Sequence, residues 1–168
     1  MRTFRVLFVI SMILVLYGCL VNNMPKDMPT DFGFSVKYGI QSRNELNTFN
    51  GEFTKDLITS GTATTKLKLT VEEMRQVYEQ MRRINIMGYD EMFSPDSFSL
   101  TKRRVTPYRT YQFTVSYGGQ KKSIIWKDEN LSNTASAKDL RDLTRTIQDI
   151  IEKKEEFKKL PQSTGGYM

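Results

Sequence analysis

Two adjacent glycines inside an alternating run, Gly118 and Gly119, constrain the fold of this chain more than any other feature. Ahead of them Tyr111, Phe113, Val115 and Tyr117 alternate with polar residues, the period of a half-buried strand. Behind them Gln120 to Lys127 supplies a second strand. A two-residue hairpin loop suits glycine, which takes up positive φ without steric cost. If the loop is those two residues, Val115 lies opposite Lys122, Phe113 opposite Ile124 and Tyr111 opposite Trp126. That register puts the single tryptophan on the same face as Phe113.

The rest of the pattern extends this hairpin into an α+β domain. Phe32, Phe34, Val36 and Tyr38 alternate as a strand. Residues 46–49 and 52–57 flank Asn50-Gly51, a local hairpin signal. Another strand follows Ser60-Gly61, with Ala63, Thr65, Leu67 and Leu69 on one face. Thr70-Val-Glu-Glu73 reads as a capping box that starts a helix running to about Arg83, with Val71, Met74, Val77, Tyr78, Met81 and Ile84 on its apolar stripe. Asn85 to Arg104 is a long connection. A last helix is expected from about Ala135 to Lys159, stopped by Pro161.

The segments Phe34–Gln41 and Phe113–Gln120 match at Phe, Val, Tyr, Gly and Gln. Two readings stay open: a duplicated unit, or simply the look of a strand entering a turn. The expected architecture is two-layered, with one antiparallel sheet built from two strand-strand-helix units and both helices on one face. Residues 32–160 form this single domain, and 161–168 are expected to fray.

Residues 1–31 carry a different message. Arg2 and Arg5 precede a twelve-residue apolar run, Val6 to Tyr17. That run is too short to span a bilayer, which takes about 20 residues, and has the length of a cleavable signal core. Leu16-Tyr17-Gly18-Cys19 follows, and Cys19 is the only cysteine. These nineteen residues resemble the signal and lipobox of bacterial lipoproteins, in the style of small lipoproteins of Bacillus-type bacteria. The resemblance implies that residues 1–18 are removed and that Cys19 receives a thioether diacylglycerol. The chain would then sit on the extracytoplasmic side of the cell membrane. Leu20 to Asp31, polar and with Pro25 and Pro29, reads as a tether reaching on the order of 20 Å from the lipid.

Composition narrows the chemistry. The chain has no histidine, which removes the commonest general base and metal ligand and every Ser-His or Cys-His arrangement. With one cysteine, no internal disulfide forms. Net charge is +6, falling to +4 when Arg2 and Arg5 leave, a mild excess suited to anionic lipid or wall polymer. It is too diffuse for a nucleic-acid partner. Lys102, Arg103, Arg104 and Arg109, joined by Lys121 and Lys122, form the candidate anion contact. Ser99-Leu-Thr-Lys102 fits the S-x-x-K pattern but lacks companion motifs, and Asp90-Glu91 and Asp128-Glu129 read as solvated pairs. The expectation is a non-enzymatic binding module without cofactor or metal. Its partners would be the bilayer, through acylated Cys19, and an envelope protein or anionic polymer. The alternatives are a small envelope hydrolase or transferase using carboxylates or Ser/Lys, or a sensor of anionic lipid or wall polymer that works through the basic loop.

Overall fold

The computed structural model describes residues 24–95 and 104–167. The fold is α+β, an open mixed sheet with three helices. Its strands are β1 (Gly33–Tyr38), β2 (Asn44–Asn47), β3 (Glu52–Asp56), β4 (Thr62–Lys66), β5 (Met92–Phe93), β6 (Thr110–Tyr117) and β7 (Gln120–Lys127). They lie in the order β4-β3-β2-β1-β6-β7-β5. The helices are α1 (Val71–Arg83), α2 (Ala135–Glu152) and α3 (Glu155–Lys158).

The glycine hairpin forms in the expected register. Val115 faces Lys122, Phe113 faces Ile124 and Tyr111 faces Trp126, and Gly118 and Gly119 both hold positive φ. Tyr111 and Trp126 stack with centroids 5.0 Å apart. Helix α1 starts at the expected capping box, with Thr70 accepting from Glu73 N–H and Glu73 accepting from Thr70 N–H. Phe34, Val36 and Tyr38 of β1 are buried, as are Leu46, Phe53, Phe113, Val115, Ile124 and Trp126. They share one cluster with Val77, Tyr78 and Met81 of α1 and Leu140, Leu143, Ile147, Ile150 and Ile151 of α2. Each large apolar side chain fully buried there contributes about 1.5–3 kcal/mol.

Strands β1 and β6 pair at the sheet centre, Phe34 with Val115 and Val36 with Phe113. The two echoing segments are therefore related by a local twofold between Ser35 and Thr114, equivalent residues that face each other. Symmetry ends nearby. Four strands precede α1, not two, and β5 joins β7 in parallel, so the sheet is not antiparallel throughout.

Other expectations need correction. The Asn50-Gly51 loop is four residues long, 48–51, because the Thr48 hydroxyl bridges both backbone groups of Phe34 and closes the chain one step earlier. Only Gly51 there takes positive φ. Val71 is exposed at 59%, outside the apolar stripe. The last helix breaks after Glu152. Lys154 turns extended, its ammonium reaching Glu73 at 2.6 Å, and Phe157 swings onto Phe53 with ring centroids 5.7 Å apart.

Of the expected tether, residues 20–31, the described residues 24–31 are docked on the domain. Met24 is buried, Pro25 O accepts from the Tyr78 hydroxyl at 2.8 Å and Met24 O from Arg82 Nε at 3.3 Å. Backbone carbonyls dock there because the polar tip of Tyr78 and Arg82 supply donors beside an apolar slot. The expected frayed tail is also anchored. Pro161 O accepts from Lys55 Nζ, Ser163 donates to Asp56 O, and the Tyr167 hydroxyl contacts the Asp56 carboxylate.

Candidate functional site: a cationic cleft at one end of the sheet

A concavity with polar side chains converging on it lies where β1 ends and β6 begins. Gly39, at φ +93°, lets the chain leave β1 sharply, and its carbonyl accepts from Thr110 N–H at 2.9 Å. That contact and the Ile40–Arg109 bridge fix Arg109 at the lip. On the other side, Arg141, Arg145 and Gln148 are spaced i, i+4, i+7 along α2 and share one face of it. Between them lies a cleft of about 240 Å³, floored by Tyr38 and Tyr111 and flanked by Asn44 and Thr144.

The three arginines are not equivalent. Arg141 grips Asp128 with two parallel bonds, Nε to Oδ2 at 2.7 Å and Nη2 to Oδ1 at 2.6 Å, and donates Nη1 to Ser132 O at 2.6 Å. Its guanidinium lies 5.1 Å from the Trp126 ring centre. It is a structural clamp whose charge the buried Asp128 balances. Arg145 has only a loose surface pair with Asp142, at 3.4 Å. Arg109 is exposed and adjoins the Tyr111 hydroxyl. The cleft lining therefore carries the positive charges of Arg109 and Arg145, with Asp142 beside Arg145 and Glu152 near Tyr38 set against them.

Burial pushes the Tyr38 hydroxyl above the ordinary phenol range. Its hydrogen bond with Gln148 opposes the shift and the nearby Glu152 charge adds to it. Burial raises Tyr111 too, against the pull of the Arg109 hydrogen bond and charge. Both phenols stay protonated through neutral pH and remain donors. Guanidinium forks plus hydroxyl and amide donors suit a compact oxyanion, phosphate or carboxylate. Asn44 has a structural duty, its Oδ1 accepting from Asp56 N–H at 2.9 Å.

Of the anion contacts expected from sequence, Arg109 lines this cleft. Arg104 sits outside it, loosely paired with Glu129 at 3.7 Å. Lys102 and Arg103, like Cys19 and Ser99, lie outside the described residues. Lys121 and Lys122 face Ser116 and Val115 near the opposite end of β6, so they do not join Arg109. Asp128 is not a solvated carboxylate but the partner of Arg141, with 3% of its side chain exposed. Among the described residues, no group of three or more acidic, cysteine or histidine side chains is placed to hold a metal ion. Arg141, Arg145 and Gln148 do not stand out in the sequence, because they sit on the polar side of an amphipathic helix and only their i, i+4, i+7 spacing marks them.

No known protein family matches the chain, and a comparison with curated proteins finds no similar one.

Proposed function

We propose that this chain is an exported lipoprotein, held at the outer side of the cell membrane by acylated Cys19. It acts there as a non-enzymatic module that binds an anionic envelope component. One observation carries the reading: Arg2 and Arg5, the apolar run Val6–Tyr17 and Gly18-Cys19 occur together, with Cys19 the chain's single thiol. Two acyl chains give stable anchoring where one is marginal. The binding part is supported by the cleft, where Arg109 and Arg145 face protonated phenols and no unclamped carboxylate lines the walls. The sheet's other face supports it less: Ser35, Lys37, Gln112, Thr114 and Ser123 lie there with the exposed Ile125 and Met92, and none of these is aromatic or an arginine.

The non-enzymatic reading is supported by the lack of histidine and by the commitment of Asp128 to Arg141. The local twofold relating β1 and β6 supports descent of the sheet's centre from a duplicated strand pair, one face of which the helices cover.

The binding reading is tested by titrating the protein with inorganic phosphate and with glycerol phosphate while following Trp126 emission, which senses Arg141 across 5.1 Å. A saturable change that weakens with salt and disappears in Arg109→Ala supports it. No response in the wild-type chain to either anion overturns the cleft as the binding site. Incorporation of a clickable fatty acid that is lost in Cys19→Ala tests the anchor separately.

A further inference from the structure

The domain has two poles, and the chain leaves from one of them. Strand β1 runs from Gly33 to Tyr38 and β6 antiparallel to it, so Gly33 and Ser116 share one end and Tyr38 and Arg109 the other. Leu46 pairs with Phe53, and Glu52 with Lys66, which brings the 48–51 loop and the chain leaving β4 to the Gly33 end. The Gly118-Gly119 tip is there too, its Gly118 N–H donating to Asp31 Oδ2 at 2.7 Å. The segment from Met24 to Asp31 docks beside it on Tyr78 and Arg82.

From Cys19 to the buried Met24 there are five Cα steps. At 3.8 Å each they reach at most about 19 Å, whatever their conformation. A lipid on Cys19 therefore keeps the Gly33 pole close to the bilayer surface.

That pole is suited to contact with it. Lys26, Lys68 and Lys121 are exposed and Lys122 is half-buried. Phe49, with 53% of its surface exposed, stands at the tip of the 48–51 loop. Of the acids at this end, Glu52 is paired with Lys66 at 2.8 Å, Glu73 with Lys154 at 2.6 Å, and Asp31 accepts from the hairpin tip, while Asp27, Glu72 and Glu79 stand on or beside α1, with Arg75 beside them. Lysines around an exposed aromatic are an arrangement that adsorbs to anionic headgroups while the ring enters the interface.

We propose that the Gly33 pole docks on the anionic bilayer that holds the lipid, with Phe49 in the interface and Lys26, Lys68, Lys121 and Lys122 against headgroup phosphates. The cleft then points away from the membrane. Seven rises of β6 separate the two ends by roughly 23 Å. The inference rests on the acylation of Cys19 proposed above and adds an orientation to it. Tethering thus acts as alignment: the cleft faces the envelope space in which a polymer or protein ligand would lie.

The experiment uses the full acylated chain in phosphatidylglycerol vesicles. A thioether at Cys19 does not react with thiol reagents, so Asn50→Cys and Ser60→Cys each take one spin label, at opposite poles. The label at position 50 is expected to show several-fold more collision with bilayer-soluble oxygen than the label at 60, and less with water-soluble nickel chelate. The difference should shrink in phosphatidylcholine vesicles and in the Lys68→Glu, Lys121→Glu, Lys122→Glu variant. Equal accessibility of the two labels in anionic vesicles overturns the proposal. So does protection at 50 in cell membranes but not in protein-free vesicles, because a protein then covers the pole. Intact mass of the same preparation separates the two readings: an acylated chain with an exposed label 50 loses the docking but keeps the anchor, and an unacylated chain loses the anchor.

Discussion

Replacing Arg141 by alanine removes three hydrogen bonds of 2.6–2.7 Å and leaves the Asp128 carboxylate, 3% exposed, without its counter-charge. Breaking one side of a buried ion pair costs about 3–5 kcal/mol, mostly the penalty of the stranded charge. Here the cleft adjoins the vacated space and lets water reach Asp128, which places the loss near the lower figure. Removal of the guanidinium from the face of Trp126 adds about 0.5–1 kcal/mol. The expected total is about 3–4 kcal/mol, or a fall in Tm of roughly 6–16 °C for a chain of this size. Urea unfolding followed at Trp126 measures it, with the slope of the transition checked for constancy. A double-mutant cycle with Asp128→Ala supplies the mechanism. The double variant should lose less than the two single losses summed, since neither charge is then stranded. A loss under about 1 kcal/mol for Arg141→Ala at unchanged slope refutes the reasoning, because the pair would then be already solvated.

Further outcomes follow from local geometry. Thr70→Ala removes one arm of the capping box and should cost about 1 kcal/mol in the same urea assay. Gly119→Ala should cost about 1–2 kcal/mol, since φ is +73° and an added Cβ meets nothing, so only the left-handed backbone is penalised; Gly119→Asn should cost less. Burial raises the phenols of Tyr38 and Tyr111 and pushes Tyr89 up to about 12, so the folded state holds these protons more tightly than the unfolded chain. Their contribution to stability is therefore complete below about pH 10 and is lost as pH rises above it. Phenolate absorbance should show these tyrosines ionising late and together with unfolding; independent ionisation near pH 10 contradicts the burial.

What the sequence made legible was local. The register of β6 and β7 could be counted from two glycines, and the start of α1 from Thr70 and Glu73, because the determining atoms lie within a few residues of one another. What it hid was set by distant partners. Strand β5 is two residues long and exists by pairing with β7, over thirty positions away. The break after Glu152 depends on Glu73 and Phe53, and the order in residues 24–31 on donors from Tyr78 and Arg82. Likewise the cleft joins Arg109 to a helix face that, read alone, is ordinary solvated surface.

In the proposed reading, a lipid on Cys19 would set the location, the short leash and the direction in which the cleft opens. Intact-mass measurement of the chain extracted from the membranes of the producing cell tests it most directly. The expected species begins at Cys19 and is heavier than residues 19–168 by a diacylglycerol group, with or without a further acyl chain on its amino group. A full-length, unacylated chain of 19.6 kDa recovered from the soluble fraction would contradict it.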